Sequence, residues 1–120
     1  MKVEAVDLAL ESYKHKEKYF KNWRSISRKI KKVLVKFLED KKLRVIVFGS
    51  VVRGNFTPLS DIDLLIVSEK VKPTLEEIVM IRRKIKECLN DPYPPLEIHV
   101  ASPKLFRNWY KKFIDVYVEA

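Results

Sequence analysis

The chain has 120 residues, the length of one domain with a single hydrophobic core. Its 25 Lys and Arg against 16 Asp and Glu leave a formal charge of +9, and no apolar run approaches the ~18 residues that would make a membrane-spanning helix. Cys88 is the single cysteine, which excludes a disulfide framework and a thiolate metal cluster. The start MKVEAVDLAL carries acids and no cleavage-site pattern, so the expectation is a cytoplasmic protein with no membrane partner.

The charge is uneven. Residues 1–44 hold 14 Lys or Arg against 6 Asp or Glu, and the remainder is nearly balanced. In the same region, from Val3 to about Leu38, there is neither Gly nor Pro, and apolar residues recur at steps of three and four through Leu10, Tyr13, Phe20, Trp23, Ile26, Ile30, Leu34 and Leu38. That period predicts one long amphipathic helix, or two with a break near Asn22 to Ser27. Residues 14–19, KHKEKY, interrupt the apolar stripe, so the first half is expected to project, pack loosely or meet another chain. Arg28, Lys29, Lys31, Lys32 and Lys36 lie mostly off the stripe. A solvated face explains them, and so does a docking face for RNA or an acidic protein. Tyr19 and Trp23 read as core or interface residues before base-stacking ones.

Residues 43–67, LRVIVFGSVVRGNFTPLSDIDLLIV, read as strand, loop, strand, and both glycines of the chain, Gly49 and Gly54, fall in the loop. Glycine used nowhere else marks sharp bending or close approach of backbone to a ligand. Ser50 follows the first glycine, and a helical turn starting near Val51 would aim N–H groups at a phosphate. Arg53 either adds charge to the same anion or is a surface arginine. On the second strand Asp61 and Asp63 alternate with Ile62, Leu64 and Ile66, which puts the aspartates on one face, roughly 6 to 7 Å apart. Their repulsion suits a bridging divalent cation with oxygen ligands, such as magnesium.

Pro73 and Thr74 then start a helix whose apolar face is Ile78, Ile81, Ile85, Cys88 and Leu89, ending at Asn90-Asp91-Pro92. In PLEIHVA, Leu96, Ile98 and Val100 alternate with Glu97 and His99, the pattern of a half-buried third strand. His99 reads as a polar partner, with orientation of Glu97 or substrate contact the rival. The tail places Leu105, Phe106, Trp109, Tyr110 and Phe113 at helical spacing, expected to close the core or to meet a second copy of the chain.

Gly49-Ser50, ten residues, then Asp61-x-Asp63, bracketed by two apolar strands, resembles the signature of the DNA polymerase β-type nucleotidyltransferase superfamily, and the short chain resembles its minimal nucleotidyltransferase (MNT) branch. The resemblance covers about residues 30–118. It implies an α/β (α+β) fold with a small mixed sheet and flanking helices, here with an extended N-terminal helical segment over residues 1–25 and a catalytic core over 26–120 of a single domain. It also implies that Gly49 and Ser50, with Arg53, hold the triphosphate of ATP or another NTP, and that Asp61 and Asp63 hold magnesium, two ions in all. The third carboxylate of the resemblance comes from a neighbouring strand, where Glu97 is the acid that matches, as metal ligand and as general base or as the group that steers the metal-bound nucleophile. Minimal members pair with a helical HEPN toxin and transfer AMP to its tyrosine, so a protein adenylyltransferase antitoxin is the expected function. A non-catalytic binding module of the same fold, or an RNA-directed transferase using the basic helix, are the alternatives.

Overall fold

The structure, a computed structural model, describes residues 5–110, 112 and 116–120. Helix α1 spans Ala5–Phe37 and is interrupted at Asn22, whose φ of −119° and ψ of 19° are not helical. The Asn22 side chain donates to the Lys18 carbonyl at 2.8 Å, and Ser25 Oγ donates to the Asn22 carbonyl at 3.1 Å. Such side-chain bonds compete with the helical ladder, and they kink α1 inside the stretch where a break is expected. Ile30 and Leu34 beyond the kink are fully buried and Tyr19 and Phe20 before it are buried, while Leu8, Leu10 and Tyr13 are exposed. Residues of the stretch expected to be an extension therefore contribute to the core.

After α1 come β1 (Arg44–Phe48), the short α2 (Ser50–Arg53), β2 (Ile62–Val67), α3 (Leu75–Leu89), β3 (Leu96–Ala101), α4 (Pro103–Leu105) running into a wider π-helical turn over Phe106–Tyr110, and β4 (Tyr117–Glu119). The sheet order is β3-β2-β1-β4, with β2 and β3 parallel and the other pairs antiparallel. A parallel pair needs a crossover, and α3 supplies it. Thr74 caps α3 by accepting from the Glu77 N–H, and Asn90 ends it in the left-handed conformation. No helix among the described residues is long and apolar enough to cross a membrane.

Both faces of the sheet carry apolar side chains. On one, Val45, Val47, Ile62, Leu64, Ile66, Ile98 and Val100 pack with Ile30 and Leu34 of α1 and Ile81 and Ile85 of α3. On the other, Ile46, Leu65, Val67 and Ala101 are roofed by Phe106. That roof covers only part of the second face. Toward the start of β2 and β3 the same face presents Asp63 and Glu97.

The helical tail reaches Tyr110, and Phe113 lies outside the described residues. Tyr117–Glu119, read from sequence as the end of a helical tail, forms an edge strand instead, with Phe48 opposite Tyr117 and Ile46 opposite Glu119. The Arg44 guanidinium clamps this strand through two bonds to the Glu119 carboxylate, at 2.6 and 2.9 Å. The bonds from Arg44 hold the Glu119 carboxyl below its usual range, against the opposing effect of burial.

Candidate active site

Strand β1 ends at Phe48, and the chain reverses at Gly49 with φ 84° and ψ −158°, a region open essentially to glycine alone. The position is also sterically closed, because a Cβ there would collide with Oδ2 of Asp63. Helix α2 begins at once with Ser50, and the Gly49 carbonyl accepts from the Val52 and Arg53 N–H groups. Gly54, at φ 78°, ends the helix in the left-handed conformation, its N–H bonded to the Ser50 carbonyl. The glycine-serine turn is thus pressed against the carboxylate that the sequence pairs with it.

Register supplies the second carboxylate. Asp63 on β2 stands opposite Glu97 on β3, with Phe48 opposite Asp63 on its other side. Two residues further along β3 on the same face, His99 Nε2 lies 3.8 Å from Asp63 Oδ1 and 3.7 Å from Glu97 Oε1, its ring 5.6 Å from that of Phe48. Asp63, Glu97 and His99 each offer one donor atom, and these atoms lie within 4.8 Å of one another. Two carboxylates held in register repel, and a cation relieves that repulsion, so this donor set fits a divalent metal ion.

Asp61 precedes β2 and sits at the mouth of the site. Its carboxylate is 47% exposed and lies 3.6 Å from Lys16 Nζ. It is apart from the three close donors but lines the same cleft, of about 460 Å³, together with Gly49, Ser50, Arg53, Asp63 and Glu97. All six residues singled out in the sequence therefore converge on one cavity. Phe48, Leu59, Ser60 and Val116 complete its walls.

Lys16 is a contact that the sequence pattern concealed. Its ammonium donates to the Pro58 carbonyl at 2.9 Å and to the Ser60 carbonyl at 3.5 Å, so α1 holds the loop that leads into Asp61. One turn away, the Tyr19 hydroxyl donates to Asp91 Oδ2 at 2.6 Å, and His15 Nε2 lies 2.5 Å from the same oxygen. Burial works against the charge of Asp91, but the bonds from Tyr19, His15 and the Tyr93 N–H outweigh it and hold the carboxyl below its usual range. Burial, then the bond to Asp91, pushes the Tyr19 phenol above its usual range. The polar run that breaks the apolar stripe is thus where α1 grips the loops on either side of the site. The signal available was a set of hydrogen-bonding residues inside an otherwise amphipathic helix.

Comparison with known proteins agrees with this geometry. The sequence pattern of the nucleotidyltransferase domain matches residues 27–117. A protein of Methanocaldococcus jannaschii, provisionally named a protein adenylyltransferase, is 44% identical over 91 residues, which are 75% of this chain and 86% of the relative. A crystal structure provisionally described as a nucleotidyltransferase superposes with a TM-score of 0.57 at 30% identity, over 78% of this chain and 95% of that one. Another such structure, from Sulfolobus solfataricus, has a TM-score of 0.50 at 20% identity over 92% of this chain and 84% of its own, a likeness of fold. The chain belongs to the nucleotidyltransferase family, in the minimal branch of the DNA polymerase β type, and is an enzyme whose substrate is a nucleoside triphosphate.

Proposed function

We propose that the enzyme transfers AMP from ATP to a hydroxyl group of a protein, the acceptor being a tyrosine of a helical HEPN toxin that it thereby neutralises. The observation that carries the reading is the placement of Asp63 and Glu97, in register on adjacent strands, in one cleft with the Gly49-Ser50 turn. The 44% identical relative, provisionally named a protein adenylyltransferase, supports the choice of acceptor class.

In this reading Asp61, Asp63 and Glu97 would hold magnesium, two ions in all, which would supply positive charge for the departing phosphates and favour ionisation of the attacking hydroxyl. Gly49 lets the backbone approach the triphosphate, and the Ser50 hydroxyl and Arg53 guanidinium bind the outgoing phosphates. Glu97 takes the proton of the acceptor hydroxyl. His99, its ring tilted beside that of Phe48 and its Nε2 facing both carboxylates, orients them.

The test is incubation of the purified protein with ATP labelled at the α-phosphate, magnesium and a HEPN partner. Label on a tyrosine of the partner, lost with Asp63→Asn, is the expected result. A partner left unlabelled while its activity is still neutralised would replace this reading with inhibition by contact alone.

A further inference from the structure

A second groove, of about 350 Å³, lies beside the nucleotide cleft. The two meet at Asp61 and Glu97, which line both, whereas Gly49 and Ser50 line the cleft alone. The groove's far wall is α3, where Arg82 and Lys86 stand four residues apart and so on one helix face, both exposed. Tyr93, with 82% of its surface exposed, and Leu96 line the passage between that wall and the carboxylates. Charge is sorted along the groove, positive at the helix and negative where it opens into the cleft.

We propose that this groove seats the acceptor, and that the acceptor is a protein segment carrying acidic residues next to the hydroxyl that is modified. The inference rests on the nucleotidyl-transfer reading above. In that reaction the acceptor O–H gives its proton to Glu97, its oxygen bonds to the α-phosphorus, the bond from phosphorus to the bridging oxygen breaks, and pyrophosphate departs with the electron pair. Entering and leaving oxygens lie roughly in line on opposite sides of the phosphorus. With pyrophosphate on the Gly49-Ser50 turn, the acceptor enters past the carboxylates from the side away from that turn, and the groove shares the carboxylates without sharing the turn.

Charge selects the class of acceptor. A nucleic acid brings a phosphate at every nucleotide, and the two cations of the groove, Arg82 and Lys86, four residues apart on one helix, are too few to follow such an evenly charged backbone. A protein segment can set its acids against Arg82 and Lys86 and leave a neutral hydroxyl at the carboxylates. Tyr93 and Leu96 offer apolar surface to the side chains between.

The experiment uses two fluorescein-labelled peptides with a single tyrosine, one flanked by glutamates and the other by lysines, plus an unstructured RNA oligonucleotide. Binding is read by anisotropy and transfer by label from α-labelled ATP. The wild-type protein is expected to favour the glutamate peptide at least tenfold in binding, and in kcat/KM where transfer occurs. The double variant Arg82→Glu, Lys86→Glu should reverse that preference while leaving Mg-ATP affinity unchanged. A glutamate preference in binding that reverses with the variant supports the groove even where no label is transferred, which would count against the transfer reading instead. Both peptides labelled with no charge preference would keep the transfer reading and overturn the groove assignment. Peptides that neither bind nor react, or RNA labelled in their place, would overturn it too.

Discussion

Gly49 and Asp63 face each other so closely that a single added methyl group on Gly49 would collide with the Asp63 carboxylate. The contact joins the turn proposed to hold the triphosphate to the carboxylate proposed to hold a metal ion, so neither can shift without the other.

Gly49→Ala should therefore damage both the fold and the chemistry. The backbone at φ 84°, ψ −158° is strained for alanine by about 1–3 kcal/mol, and the methyl must also displace Asp63. Urea unfolding and labelled-ATP transfer would report the two losses together. A variant with wild-type stability and turnover would mean that the turn does not need this geometry.

Asp63→Asn should separate stability from activity. Removing a ligand to charge that develops in the transition state costs several kcal/mol, which is roughly a hundredfold or more in turnover. The fold should hold or gain slightly, because Asp63 and Glu97 stand opposite each other and the amide removes one of two like charges. Chelation of divalent ions should abolish transfer by the wild type to the same extent, measured in the same assay.

Acid should weaken the grip of α1. The carboxyl of Asp91 is held low in the folded state, so its stabilising contribution is present above the unfolded value of about 3.9 and is lost as pH falls through the lower folded value. The phenol of Tyr19 is held high, and its contribution is present below about pH 10 and is lost as pH rises toward the raised value. Tyr19→Phe removes a hydrogen bond to a charged group and should cost about 1.5 kcal/mol near neutral pH. It should also make the acid side of a stability-against-pH curve shallower. An unaltered curve would show that the bond at Asp91 contributes nothing in solution.

Phe106→Ala should expose the roofed half of the second face. Phe106 is fully buried against Ile46, Leu65 and Val67, with Arg44 stacked on its ring at 5.0 Å. Loss of such a ring costs about 3–5 kcal/mol. Differential scanning calorimetry would measure it, and a cost below about 1 kcal/mol would mean that the tail is not part of the folded unit.

Much of the candidate site was legible in the sequence because its signals are local. Gly49, Ser50, Asp61 and Asp63 lie within fifteen residues of one another, and strand alternation alone sets Glu97 and His99 on one face of β3. The helix α3 was legible to its caps, since Thr74 and Asn90 act on the backbone of their own neighbourhood. The edge strand Tyr117–Glu119 was not, because three residues are too few to show a period, and its pairing depends on β1, some seventy residues earlier.

The chain by itself determined which residues can bear chemistry, through spacing, glycine placement and alternation, all of which follow from backbone sterics over a few residues. Tertiary structure alone decided that Asp63 would stand opposite Glu97, and that His99 would join them while Asp61 turned toward Lys16. It also decided that His15 and Tyr19 would close on Asp91. Those contacts span tens of residues, and they exist because burying α1 and α3 on one face of a mixed sheet leaves a single register and a single packing in which both the core and its polar rim are satisfied.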